Sequence, residues 1–148
     1  MAVETKITYL DGVRFHIAAR GHEIISDQPP ENGGTDRGMT PPELLLASLG
    51  SCAAYYAAEY LRARNLPAAG LTATVTAEKA QRPARIANLR IELSIPELDD
   101  QRHRDGILRA VKNCLIHNTL LHAPEIETEI ETTDVNVDPH LPETAATI

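Results

Sequence analysis

Two cysteines, Cys52 and Cys114, are the only thiols in this chain of 148 residues, and each sits on the apolar stripe of a helix-like segment. Around Cys52 the neighbours one and two turns away include Leu45, Ser48, Leu49, Tyr55, Tyr56 and Glu59; around Cys114 they are Ile107, Ala110, Val111, His117 and Asn118. If the two segments pack on one another over a sheet, the thiols can approach within disulfide range, roughly 4.4–6.8 Å between Cα atoms. The same pattern also fits two inert core thiols, since free cysteine is among the most buried residue types. Reactivity demands more than position. An unperturbed thiol with a pKa near ~8.5 is only a few per cent thiolate at neutral pH. Cys52 lies about three turns into its helix, where the helix dipole contributes little, and no Lys or Arg stands within seven residues of it. An activating cation has to come from elsewhere in the fold.

Other chemistries find less support. Cys114, His117 and His122 are spaced by three and five, and the first spacing places two ligands on one helical face. A zinc site wants three or four ligands, however, and neither Cys-x-x-Cys nor His-Glu-x-x-His occurs. No metal and no other cofactor is expected. Gly33-Gly34 and Gly38 lack the Gly-Lys-Ser/Thr that a phosphate loop requires, and no Ser/His/Asp ordering stands out.

The net charge is −7, aromatic residues make up 3% and Trp is absent. Without a basic run or stacking platforms, a nucleic acid or an anionic membrane is an unexpected partner. No stretch approaches the roughly 20 apolar residues of a membrane helix. Met1-Ala2-Val3-Glu4-Thr5-Lys6 lacks the basic and apolar regions of a signal peptide, so the expected compartment is the cytosol. There a cysteine pair is not a permanent staple but buried thiols, a redox couple or half a metal site.

The elements that must position these residues read clearly. Val3 to Tyr9 alternates, Asp11-Gly12 is a hairpin-turn pair, and Val13, Phe15 and Ile17 resume the alternation. A second turn at Arg20-Gly21 leads to Glu23–Ser26, completing a three-stranded meander. Gln28 to Pro42 holds four of the ten prolines and three of the eight glycines, the composition of a functional or disordered loop. A long helix follows from Glu43 to Asn65, with Thr40 as N-cap, Pro41 at the first helical position and Glu43 at capping-box spacing. Leu71–Glu78 and Ala87–Ile95 alternate as half-buried strands. Asp99-Asp100 caps a second helix, about Gln101 to Leu121, with a break near Asn118. Ile126, Thr128 and Ile130 alternate with glutamates in a last strand, and an extended tail begins at Asp134. The order βββ-α-ββ-α-β, as one domain over residues 1–148, predicts an α+β fold with helices on an antiparallel sheet.

Several of these segments carry a family likeness. Ala19-Arg20-Gly21-His22, Ser26-Asp27-Gln28-Pro29, Gly33-Gly34 and the run Met39-Thr40-Pro41-Pro42-Glu43-Leu44-Leu45-Leu46-Ala47-Ser48-Leu49-Gly50-Ser51-Cys52 resemble the osmotically inducible protein C family, OsmC/Ohr. Val111-Lys112-Asn113-Cys114-Leu115-Ile116-His117-Asn118-Thr119-Leu120 resembles its second cysteine motif. The likeness covers nearly the whole chain, and a Pro-x-Glu-Leu-Leu…Gly-x-Cys motif with a second Cys 62 positions on is quite specific.

The resemblance implies an intertwined homodimer, each chain supplying a long central helix, with two active sites at the subunit interface. It implies a thiol-dependent peroxidase acting on organic and lipid hydroperoxides and reset by an external dithiol. Carried over by position, Cys52 is the peroxidatic residue, Cys114 the resolving one, Glu43 the glutamate before the helix and Arg20 the arginine; Arg37 is a rival for that cationic role. Leu45, Leu49 and Tyr56 are expected to line the substrate pocket. The alternative is a dimeric binding or structural protein of the same fold whose cysteines are buried and inert.

Overall fold

The computed structural model describes residues 2–132. Three strands come first: β1 (Lys6–Asp11), β2 (Arg14–Ala19) and β3 (His22–Ser26), an antiparallel meander in the order β1-β2-β3. Ile7 pairs with Ile17 and Tyr9 with Phe15, whose rings meet edge to face at 5.8 Å. The first turn is Gly12–Val13, one residue later than the Asp11-Gly12 pair predicts. Asp11 is held in the ladder opposite Arg14, which donates from Nε to its carboxylate at 2.8 Å. The second turn is Arg20-Gly21 as expected, with φ of 52° and 83°, the left-handed pair of a tight hairpin turn.

A 3₁₀ turn at Pro30–Asn32 precedes α1 (Pro41–Arg62). Thr40 caps α1 with a complete capping box: the Thr40 hydroxyl accepts from the Glu43 N–H, and the Glu43 carboxylate accepts from the Thr40 N–H at 2.7 Å. The buried face of α1 is Leu49, Ala53, Ala57 and Leu61, four residues apart each time, which is the spacing of one helical stripe. β4 (Thr72–Gln81) and β5 (Ala84–Ser94) form a separate antiparallel hairpin whose inward residues include Ala73, Val75, Ile91 and Leu93.

α2 (Gln101–Val111) is capped by Asp100, whose carboxylate accepts from the Arg102 N–H at 2.8 Å. Ala53, Ala57, Leu61, Ile107 and Val111 make the buried core, with Tyr60, Leu66, Leu71, Ile91 and Leu93 packed around it. Fully burying a side chain such as Leu61 contributes about 1.5–3 kcal/mol. Gly106 allows the close approach of α2 to α1, because a Cβ there would collide with the Tyr60 hydroxyl.

The architecture is α+β, as the alternation predicts, but three expectations need correction. The antiparallel sheet is divided in two. α1 packs on the β4–β5 hairpin and on the later helices, whereas the β1–β3 meander has no substantial packing against any of these elements. The second helix breaks at Lys112–Cys114 rather than near Asn118, so α3 (Leu115–Leu121) is a separate short helix. The break falls there because Cys114 leaves helical geometry, with ψ of 126°, and its sulfur accepts the His117 N–H as the cap of α3. Finally, Ile126 to Ile130 forms no strand: both isoleucines are nearly nine-tenths exposed, at 87% and 88%, and alternation becomes a strand only where a neighbour supplies a ladder. The tail expected from Asp134 lies outside the described residues.

Candidate functional site

α1 carries Cys52 at its middle, half-buried, and the start of α3 carries Cys114, fully buried. Packing of α3 on α1 brings the two free thiols close to each other. Burial pushes the Cys114 thiol up, and the hydrogen bond and charge of Cys52 push it the same way, against the N–H groups of His117 and Ile116. The His117 N–H lies 3.4 Å from the Cys114 sulfur. These effects favour the neutral thiol at Cys114 over the thiolate.

A cavity of about 260 Å³ is lined by Leu49, Leu89, Ile91, His117, Leu120 and Leu121, so that Leu49, three residues before Cys52, and His117, three after Cys114, are among its walls while neither cysteine is. Of the expected pocket residues, Leu49 lines it; Leu45 is half-buried elsewhere on α1, and Tyr56 packs edge to face on Tyr55 and against the core. Leu89 and Ile91 share one face of β5 with the sequence alternation. Leu120, Leu121 and His117 come from the helix that the expected break near Asn118 would have divided.

No side-chain hydrogen bond joins Glu43, Arg20 or Arg37 to either thiol among the described residues. Glu43 is committed to Thr40, whose hydroxyl donates to it at 2.8 Å, and lies about 13 Å along the helix from Cys52 at ~1.5 Å per residue. The Thr40 N–H and hydroxyl, with Lys79 nearby, hold the Glu43 carboxyl below the usual range against a small effect of desolvation. Arg20 lies in the β2–β3 turn of the separate meander, beside a cavity formed with Ala2, Val3, Glu4 and Lys6. Neither Arg20 nor Arg37 makes a side-chain hydrogen bond or ion pair among the described residues.

Sequence reasoning missed Asp27. It is fully buried, and burial alone would raise its carboxyl. The Arg37 N–H, the Thr35 hydroxyl, and the N–H groups of Gln28 and Thr35 outweigh that and bring its pKa to about 2. Those bonds, at 2.7–3.2 Å, order the Pro/Gly-rich segment. A side chain at Gly34 or Gly38 would collide with the carbonyl of Gln28 or Ile25. The segment is thus a pinned loop that fixes Arg37 and the entry to α1.

No group of three or more His, Cys, Asp or Glu is placed to hold a metal ion among the described residues. His122 closes α3, with its Nδ1 3.1 Å from the Asn118 carbonyl. No described helix is long and apolar enough to cross a membrane.

The chain is similar in structure to a Psychrobacter arcticus 273-4 protein named for osmotic stress induction and a detoxification response, at 26% identity and a TM-score of 0.73, covering 80% of this chain and 88% of that one. An OsmC-like protein from Mycoplasma pneumoniae matches at 18% identity and a TM-score of 0.72, over 83% and 89%. An organic hydroperoxide resistance protein OsmC from Legionella pneumophila matches at 17% identity and 0.60, over 81% and 89%. No curated protein matches the chain. The family model described as OsmC-like protein matches residues 34–129, which take in Glu43, both cysteines and every wall of the cavity and leave the meander with Arg20 outside. On that match, joined to the paired thiols and the two-sheet α+β architecture, the chain belongs to the OsmC-like family.

Proposed function

We propose that the chain is a thiol-dependent peroxidase that reduces organic hydroperoxides. The observation that carries this reading is the thiol contact between Cys52 and Cys114, two residues far apart in sequence and joined by no structural disulfide. A Cys52 thiolate attacks the outer oxygen of the hydroperoxide, an alcohol leaves, and Cys52 becomes a sulfenic acid. Cys114, already in contact, condenses with it to a disulfide and releases water, and an external dithiol restores both thiols. The aliphatic walls from Leu49, Leu89 and Ile91 suit an alkyl or acyl hydroperoxide better than hydrogen peroxide. The hydroperoxide-resistance role of the Legionella relative agrees with this reading.

A homodimer completes the site in this proposal. The meander, with Ile7, Tyr9 and Ile24 each around half exposed, is the surface to be covered, and its turn would carry Arg20 to the partner's thiols. An arginine keeps its charge at any pH and stabilises the thiolate through charge-assisted hydrogen bonds.

Full burial of Cys114 favours one other reading, a binding protein of the same fold with inert thiols. The test is to mix reduced protein with cumene hydroperoxide and count free thiols, alongside Cys52→Ser and Cys114→Ser. Rapid loss of both thiols, with Cys52→Ser unreactive and Cys114→Ser stopping at the sulfenic acid, supports the peroxidase. Survival of both thiols in excess hydroperoxide ends it in favour of the binding protein.

A further inference from the structure

A second cavity, of about 390 Å³, lies between the end of β5 and α2 and shares no lining residue with the one near Leu49. Its size is within the roughly 300–1,000 Å³ of small-molecule pockets. Leu93, Ile95, Leu98, Ile107 and Leu108 give it aliphatic walls. Ile107 belongs to the buried core, whereas Leu108, the next residue of α2, is 60% exposed, an apolar side chain left open to solvent. The remaining lining residues are Ser94 and Arg104. Arg104 is anchored: its Nε and Nη2 both donate to the Leu98 carbonyl, at 3.1 and 2.9 Å. The guanidinium is thus held on one of the cavity's own lining residues, while Nη1 has no acceptor and the charge no ion-pair partner among the described residues. The two acidic residues nearest to it in sequence are engaged elsewhere. Asp100 accepts from the Arg102 N–H, and Asp105 accepts from the Gln101 amide at 2.9 Å.

We infer that this cavity binds an amphipathic monocarboxylate, a medium-chain fatty acid, with the carboxylate on Arg104 and the alkyl chain against the leucines and isoleucines. The site is independent of the thiol chemistry proposed above. A guanidinium fork matches a carboxylate in shape and charge, and bonds between ionised partners are the strong ones. Because Arg104 is already anchored on Leu98, little side-chain freedom is lost when the ligand arrives. The alkyl chain covers Leu108 and the other aliphatic walls, and removing that apolar surface from water drives its entry. A volume at the small end of the range suits a medium chain. An alcohol of the same length keeps the apolar contacts without the charge-assisted bonds, and acetate keeps the charge without the chain, so the site discriminates against both.

The test is calorimetric titration of octanoate, octan-1-ol and acetate into the full-length reduced protein, with Arg104→Gln, Arg104→Lys and Leu108→Trp alongside and thermal melting as the check on folding. Octanoate is expected to bind at a single site per chain, with octanol and acetate at least about tenfold weaker. Arg104→Gln should weaken octanoate by about tenfold or more, as for loss of a hydrogen bond to a charged group, and leave octanol unchanged. Arg104→Lys keeps the charge and should recover part of the affinity. Leu108→Trp takes up space in the cavity and should weaken octanoate and octanol alike. The inference is overturned if wild type does not bind octanoate, or if octanol binds as tightly, which would make the cavity purely apolar. Unchanged octanoate affinity in folded Arg104→Gln and Leu108→Trp also overturns it, by placing the ligand elsewhere. Should Arg104→Gln fail to fold, Leu108→Trp, at an exposed position, decides the location alone. No outcome depends on hydroperoxide turnover, so the peroxidase reading stands or falls separately.

Discussion

The thiols of Cys52 and Cys114 meet where α3 packs on the middle of α1, with Cys114 fully buried and Cys52 half-buried. The relationship is asymmetric: burial and Cys52 push the Cys114 thiol toward its protonated form, while Cys52 sits in the less enclosed position.

Mild oxidation tests the contact directly. Diamide is expected to consume both thiols of each reduced chain, and a non-reducing gel should then show single chains. A ladder of chains cross-linked through cysteine would show that the contact is not kept in solution.

The capping box gives a stability prediction. Thr40→Ala removes the hydroxyl that both accepts from and donates to Glu43, and loss of such a cap costs about 1 kcal/mol. Thermal unfolding should shift down by about 4 °C at this chain length. No change would mean that the box does not form.

Asp27 gives a pH prediction. Its folded pKa, about 2, lies below the ordinary carboxylate value. The stability it contributes is therefore fully present above roughly pH 4 and lost as pH falls toward 2. Melting temperatures of the wild type should fall across that window, and Asp27→Asn should be less stable at pH 7 with a flatter acid limb. Parallel limbs would show that other carboxylates govern the acid response.

Gly106 gives a packing prediction with two opposing effects. Alanine in a helix interior gains about 1 kcal/mol over glycine, but here its Cβ would collide with the Tyr60 hydroxyl, and overpacking costs about 1–3 kcal/mol. The collision should win, so Gly106→Ala is expected to melt at a lower temperature than wild type. Stabilisation would mean that Tyr60 moves aside freely.

The origin of the activating arginine can be settled by complementation. If Arg20 serves the partner's Cys52, then Arg20→Ala and Cys52→Ser chains, each inactive alone, should regain about a quarter of wild-type activity when refolded together. Mixing equal amounts gives about half mixed dimers, each with one complete site. No recovery would place the arginine in the same chain or give the role to Arg37.

Local chemistry was legible in the sequence where partners lie within a few residues. Thr40 and Glu43 announce their cap by spacing, and the alternation over Leu71–Glu78 and Ala87–Ile95 places two strands correctly. What failed depends on neighbours that the local pattern does not name. Ile126–Ile130 alternates but finds no ladder. Asp27 binds N–H groups eight and ten residues away, which no side-chain pattern reveals. The helix break was misplaced because a cysteine cap is not among the Ser, Thr, Asp and Asn signals that mark helix starts. Helical periodicity puts both cysteines on apolar stripes and the family likeness makes them candidates, but the cavity near Leu49 draws its walls from α1, β5 and α3, elements that no local pattern brings together.

The sulfur of Cys114 also starts a helix, and this changes what its substitution can report. Alanine at 114 deletes the thiol and the acceptor for the His117 N–H together, so a loss of activity would mix chemistry with a frayed α3 and a collapsed pocket wall. Serine removes only the chemistry, because its oxygen is a preferred cap. The two replacements thus separate a residue's role as reagent from its role as architecture, and any chain that abandoned the reaction would still be under pressure to keep an acceptor at this position.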